Sequence, residues 1–375
     1  MPGYKFTCSS CRWTNDPSPN LLSCSVCESP LDVKYISDLL PSVVLPKGWR
    51  GPPIPLPIDR QEDHLTLGEG NTPVVKLQKI YDLIGVELFA KFEFLNPTGS
   101  FKDRGTSIMI SVLKSMGITE LVEDSSGNAG ASVSAYSALA GITANIFAPT
   151  TAPNPKISQI KVYGAETHLI EGTRADTTEA AVRFASENSL PYASHNLSPF
   201  FIEGTKIFAY EVFEQFNGNL PTDVVIPVGN GSLYLGMWKG LVELEKKRLI
   251  GTLPKLHCVQ ARSVMPIAAA FDRRDWDVSD LKATIAGGIA VASPPRLHQV
   301  IEVLRKSGGT AITVNEEEIS SWHTYLPANE GIYAEPTSAA AFAGAKKLVD
   351  SGRINAGARI LIPVTGFGLK DSPPA

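Results

Sequence analysis

Three times along this chain an apolar run ends in a turn of glycine, asparagine and small hydroxyl residues and passes directly into a segment with helical spacing. Residues 89–94 lead into Asn96-Pro97-Thr98-Gly99-Ser100-Phe101-Lys102-Asp103-Arg104-Gly105, and then into 106–116, where Ile108, Val112 and Met116 share one helical face. Residues 120–123 lead into Asp124-Ser125-Ser126-Gly127-Asn128-Ala129-Gly130 and the small-residue helix 131–140. Residues 225–228 lead into Gly229-Asn230-Gly231-Ser232-Leu233 and a helix over 235–246. A strand followed at once by a helix has no hairpin to return through, so this repetition predicts parallel βαβ units with both sheet faces covered. Further strands are expected at 144–148, 166–170, 256–260 and 359–363. The fold class is therefore α/β.

Strand–turn–helix junctions are where such folds place ligands. The first junction sets Lys102 just past a glycine-relieved turn. An amine partly desolvated there, or set near a second cation such as Arg104, gives up its proton more readily and attacks aldehydes. The bland alternative is a solvated lysine opening a helix. The other two loops carry what an anion needs: hydroxyls, an amide, free backbone N–H groups and the positive end of a helix dipole. Either could equally be a βα turn that uses Gly and Asn for their backbone freedom. Neither is a G-x-G-x-x-G, so dinucleotide binding has little support.

Taken in order, these loops resemble the pyridoxal-phosphate enzymes of the tryptophan-synthase β-chain fold (fold type II), and most closely the threonine synthase family. The resemblance covers about residues 66–375. It includes Gly68-Glu69-Gly70-Asn71-Thr72-Pro73, the three loops, Glu335-Pro336-Thr337-Ser338-Ala339-Ala340 and Thr365-Gly366-Phe367-Gly368-Leu369-Lys370-Asp371. It implies that Lys102 holds pyridoxal 5′-phosphate covalently and that Asn128 bonds the phenolic oxygen of the ring. Gly229, Asn230, Gly231, Ser232 and Leu233 would wrap the cofactor phosphate, and Thr365 would meet the pyridine nitrogen. Ser125, Ser126, Gly127 and Ala129 would take the substrate carboxylate. It also implies two lobes around the cofactor, a smaller mobile one at about 101–198 and a larger one from 66–100 and 199–375, in a homodimer acting on a small-molecule amino acid. Lys102, released when substrate binds, would remove the Cα proton and return it. A hydroxyl at the pyridine nitrogen gives a weaker electron sink than a carboxylate, which suits elimination and replacement.

Two positions depart from the threonine synthase pattern. Those enzymes typically read Ser-Thr-Gly-Asn-Thr where this chain has Ser125-Ser126-Gly127-Asn128-Ala129, and some place an arginine where Phe201 stands before Glu203-Gly204. A phenylalanine cannot pair with a substrate phosphate; Lys156, Lys161, Arg174 and Lys206 are the cations that would compensate. The segment 284–292 is more similar to threonine and serine dehydratases. Conversion of O-phosphohomoserine to threonine therefore stands beside ammonia-lyase or β-replacement chemistry of the cysteate-synthase kind, with a non-catalytic binding protein as the third reading.

Ahead of the catalytic body, Cys8-Ser9-Ser10-Cys11 and Cys24-Ser25-Val26-Cys27 form two CxxC knuckles separated by 12 residues. Four thiolates so spaced suit a tetrahedral Zn²⁺ that supplies folding energy to a segment too short for its own core. Rubredoxin-type iron, a redox CxxC and disulfides are the alternatives. This zinc-ribbon-like segment spans 1–40, and a connector over 41–65 follows. Pro41, Pro46, Pro52, Pro53, Pro55 and Pro57 should keep that connector extended on the surface. The fifth cysteine, Cys258, reads as a small buried hydrophobe.

The net charge of −4 carries no basic stripe beyond Lys246-Lys247-Arg248, a solvated helix end, so nucleic acid is not an expected partner. Neither a membrane span nor a secretory signal is apparent, and a cytoplasmic protein is the expectation. The six histidines lack metal-ligand spacing. Only His195, shortly before Phe200-Phe201, is placed to face substrate.

Overall fold

In a computed structural model the described residues are 3–36, 42–43 and 49–371. They form two compact units, Met1–Gly70 with Asn96–Ile207, and Asn71–Leu95 with Phe208–Ala375.

The first unit holds two sheets. The N-terminal sheet is antiparallel in the order Thr14–Asn15, Tyr4–Cys8, Leu31–Tyr35. Its inward residues Tyr4, Phe6, Leu31 and Val33 alternate with exposed or half-buried ones, as a sheet with one covered face requires. The covering element is the helix Pro199–Thr205, where Phe200 meets Tyr4 edge-on at 6.1 Å and Phe6 at 5.1 Å. The second sheet is parallel, in the order Glu166–Ile170, Thr143–Pro149, Glu120–Glu123. A bridge from Val122 to Tyr192 continues its edge and delivers the 193–198 segment beside the end of the Glu120–Glu123 strand.

The second unit is built on a six-stranded sheet ordered Ala311–Val314, Lys255–Ala261, Asp223–Pro227, Arg359–Pro363, Glu87–Lys91, Val74–Lys76. All pairings are parallel except the last. The helix Pro336–Asp350 lies close because it is lined with small residues: a Cβ on Gly344 would come within 2.4 Å of Val259. Cys258 is fully buried in this sheet, and burial pushes its thiol pKa up.

Several expected boundaries move. The strand expected over 89–94 ends at Lys91, because Phe92 and Phe94 turn to meet at a tilt at 5.1 Å and Phe94 then meets Phe367 at 5.3 Å. All three junction helices start earlier than the apolar spacing indicates, as Lys102–Ser115, Asn128–Ala140 and Ser232–Lys246. Their first turns carry the polar loop residues, which periodicity does not register. The connector does not lie over the surface throughout. Ile54, Leu56 and Ile58 are buried between the prolines, and the Tyr35 hydroxyl oxygen lies 3.1 Å from the Pro55 carbonyl oxygen. An extended chain presents alternate residues to one side, so a proline-rich stretch can still bury an apolar face. Pro41 and Pro46 lie outside the described residues.

Candidate active site

The expected site residues divide between the units. Lys102, Ser125, Ser126, Gly127, Asn128 and Ala129 belong to the first, as do Cys8, Cys11, Cys24 and Cys27; Gly229, Asn230, Gly231, Ser232, Leu233 and Thr365 belong to the second.

Lys102 is the first residue of its helix and is partly buried. The turn before it is shaped by Gly99, whose φ of 86° is left-handed, and closed by a bond from the Gly99 N–H to the Asn96 carbonyl. Asp103 locks the turn from behind: its carboxylate accepts from the Thr98 N–H at 2.7 Å, the Thr98 hydroxyl at 2.6 Å and Ser132 at 2.7 Å. Through Ser132 the lysine turn is tied to the helix that opens at Asn128. The Lys102 amine faces two rings, 4.8 Å from the centroid of Phe101 and 5.6 Å from that of Phe201. Phe201 thus stands beside the Lys102 amine. Lys206 cannot supply the missing cation nearby, because it is fully buried and bound to Glu203 at 2.6 Å, where Tyr35 also donates.

The 125–129 loop lies at the N-terminus of the Asn128–Ala140 helix, with no side-chain cap on its first turn. Neither the N–H nor the hydroxyl of Ser126 has a hydrogen-bond partner among the described residues. Gly130 lets the loop fold back, since a Cβ there would lie 1.9 Å from the Ser125 carbonyl oxygen. Just before the loop, Asp124 binds Arg174 at 2.9 Å and Thr178 at 2.6 Å. Burial works to raise the Asp124 pKa, but Arg174 and then Thr178 outweigh it and hold the carboxyl below its usual range. Arg174 is therefore already paired.

In the second unit, the N–H groups of Gly229, Asn230 and Gly231 have no hydrogen-bond partner among the described residues. They precede a 15-residue helix whose N-cap, Gly231, has a φ of 87°. A Cβ on Gly229 would come within 2.9 Å of the Gly288 carbonyl oxygen, and one on Gly231 within 2.7 Å of Val300. Unspent donors in a cradle that only glycines leave open fit a phosphate group. Thr365 is buried; its hydroxyl donates to Glu335 at 2.8 Å and lies 2.9 Å from the Ser338 hydroxyl. Glu335 and Ser338, which carry no assigned role in the sequence motif, orient Thr365.

The four knuckle cysteines converge, with all sulfurs within 4.8 Å of one another. Cys8 and Cys27 are 3.4 Å apart and Cys11 and Cys24 3.5 Å, while the N–H groups of Cys11 and Val26 point at the Cys8 and Cys24 sulfurs. A tetrahedral ion with bonds of about 2.3 Å spaces its sulfurs by about 3.8 Å, so the cluster fits a metal centre. No described helix is long and apolar enough to cross a membrane.

The family described as "Pyridoxal-phosphate dependent enzyme" matches residues 65–366. Threonine synthase of Methanocaldococcus jannaschii is 36% identical over 324 residues, covering 85% of this chain and 80% of that protein. This chain belongs to the pyridoxal-phosphate-dependent enzymes, in the threonine synthase family. A second member, threonine synthase of Methanosarcina acetivorans, is 31% identical across 98% of this chain and 92% of its own length. The fold type II architecture recurs in maize serine racemase, with a TM-score of 0.69 at 22% identity over 80% of this chain and 88% of that one. Threonine deaminase isoform 2 of Solanum lycopersicum gives 0.69 at 23% identity over 79% of each chain. As a family member, the chain is a pyridoxal-phosphate-dependent lyase.

Proposed function

We propose that this lyase is a threonine synthase, converting O-phosphohomoserine and water to threonine and phosphate. The observation that carries the reading is the run of threonine synthases that match most of the chain at 31–36% identity. Pyridoxal 5′-phosphate, when bound, supplies the electron sink that acidifies the substrate Cα–H. Lys102 holds it through its amine and, once released, takes the Cα proton and returns it. The N–H groups of Gly229, Asn230, Gly231, Ser232 and Leu233 hold its phosphate, Asn128 its phenolic oxygen, and Thr365 its pyridine nitrogen. Ser125, Ser126, Gly127 and Ala129 orient the substrate carboxylate with hydroxyls and N–H groups. Cys8, Cys11, Cys24 and Cys27 hold a structural Zn²⁺, for which the sulfur spacing speaks. In the same reading the enzyme is a cytoplasmic homodimer.

One observation favours a second reading. Phe201, rather than a cation, stands 5.6 Å from the Lys102 amine, an environment better suited to an uncharged leaving group. That is the ammonia-lyase chemistry of threonine and serine dehydratases, or β-replacement. The deciding experiment compares phosphate released from O-phosphohomoserine with 2-oxo acid formed from L-threonine and L-serine. Phosphate and threonine in equal amounts support the synthase; 2-oxo acid alone supports the dehydratase.

A further inference from the structure

One buried titratable pair beside the lysine has no part in this scheme. Glu123 ends its strand fully buried, and His195 is 6% exposed. The His195 ring nitrogen Nδ1 lies 2.7 Å from Glu123 Oε1, while the His195 main-chain N–H donates to Oε2 at 3.3 Å. Two bonds to one carboxyl fix the ring orientation. The other ring nitrogen, Nε2, has no hydrogen-bond partner among the described residues and is not sealed from solvent. The imidazole meets Phe201 edge-on at 6.0 Å, and Phe201 in turn faces the Lys102 amine. Histidine and lysine therefore flank one aromatic ring.

Burial, reinforced by Asp124, raises the Glu123 carboxyl well above its ordinary range, and burial, reinforced by Lys102, pushes His195 well below its own. The charged groups acting on the pair are Asp124 at the same strand end, Lys102 from the Lys102–Ser115 helix and Arg174 from the Arg174–Glu187 helix. Both shifts disfavour separated charge in the pair, so a Glu123 carboxylate beside the neutral imidazole is a strong proton acceptor. Glu123, Asp124 and His195 also lie close enough to ligate an ion. Arg174 already occupies Asp124, however, and a divalent ion would meet two cations there. The arrangement suits proton transfer better than metal binding.

We infer that His195, backed by Glu123, is the base that takes the proton from the water added at the substrate Cβ. The inference rests on the synthase reading above. The water oxygen bonds to Cβ as the Cα–Cβ double bond opens and its electron pair passes to Cα. The water proton moves to Nε2 while the Nδ1 proton moves to Glu123 Oε1. Lys102 returns to Cα the proton it took there. The pair then returns that proton to solvent, and the phosphate, taking one from solvent, departs as hydrogen phosphate, so the cycle closes with no net proton gained. The same pair, run in reverse, protonates a departing hydroxyl.

The test uses holoenzyme carrying Glu123→Gln, which keeps an acceptor for His195 but cannot take a proton, and His195→Asn. Threonine formation should fall by about 10²–10⁴-fold in each. Phosphate release and deuterium exchange at Cα should persist, with carbon diverted to 2-oxo acid. Substrate-free ¹⁵N NMR should show His195 neutral at neutral pH, with ring signals that move in Glu123→Gln. Threonine formation within a few-fold of the unaltered enzyme in a folded Glu123→Gln, or a His195 titrating normally and indifferent to Glu123→Gln, overturns the inference. Should the unaltered enzyme release no phosphate from O-phosphohomoserine, the synthase reading fails by itself. The pair is then judged on L-threonine dehydration, where retention of that activity in Glu123→Gln overturns it and a comparable loss upholds it.

Discussion

The Phe201 ring fills the space that a side chain at position 105 would need: a Cβ added to Gly105 would lie 2.5 Å from its nearest ring carbon. Gly105→Ala should therefore destabilise the fold by about 1–3 kcal/mol, the usual cost of overpacking a filled site. It should also displace the ring from Lys102. Urea unfolding measures the first effect, and Phe201→Leu in the same chain should recover part of it. Additive losses in the double variant would mean the two residues do not compete for this space.

Lys102→Ala should abolish turnover and leave borohydride with no lysine to fix the cofactor upon. Peptide mapping of the reduced, unaltered enzyme should place the label on residue 102. A label on another lysine would remove Lys102 from its assigned role.

Arg174 and Asp124 make stability depend on pH with a definite sign. In the folded chain the Asp124 pKa lies below its ordinary 3.8, so its contribution is present above that value and fades as pH falls through the lowered folded one. In Arg174→Met, burial, already the largest single influence, loses its main opponent and moves the folded pKa upward. Its contribution is then present in acid and fades as pH rises. The stability gap between the two proteins should widen from about pH 4 to about pH 7 in urea titrations. An equal gap at both would show that the pair is not coupled.

Thr365 donates to Glu335, so Thr365→Val leaves a buried carboxylate short of a donor and should cost about 1–3 kcal/mol. Thr365→Ser retains the hydroxyl and should stay near the original stability. Equal thermal shifts for both variants would place the effect in packing rather than in this bond.

Cys8→Ser should lower bound metal and the melting temperature together, because structural metal binding is folding energy. Elemental analysis after dialysis reads the first and calorimetry the second. A full complement of metal in Cys8→Ser would exclude that thiolate as a ligand.

Much of this architecture is legible in the sequence, because parallel strands announce themselves as apolar runs and each junction loop spells out its turn with glycine. The strand Arg359–Pro363 falls where its apolar run predicts, and the pattern around Lys102 is specific enough to identify the family. The Glu123–His195 bond joins residues 72 apart, through a strand-edge bridge with no local signature. A charged residue closing the apolar run Leu121-Val122 is the one hint the sequence holds. Nor could composition show that Lys206 is spent on Glu203, since a buried lysine and a solvated one are written with the same letter.

The aromatic seam where Tyr4 and Phe6 meet Phe200 has a practical corollary for anyone trimming this protein to its catalytic body. A fragment starting near residue 65, where the family match begins, would bare Phe200 to water and take Tyr35 away from Glu203 and Lys206. The helix stripped in this way carries Phe201, so such a fragment would lose the ring that backs the Lys102 amine even with every residue of the junction loops intact.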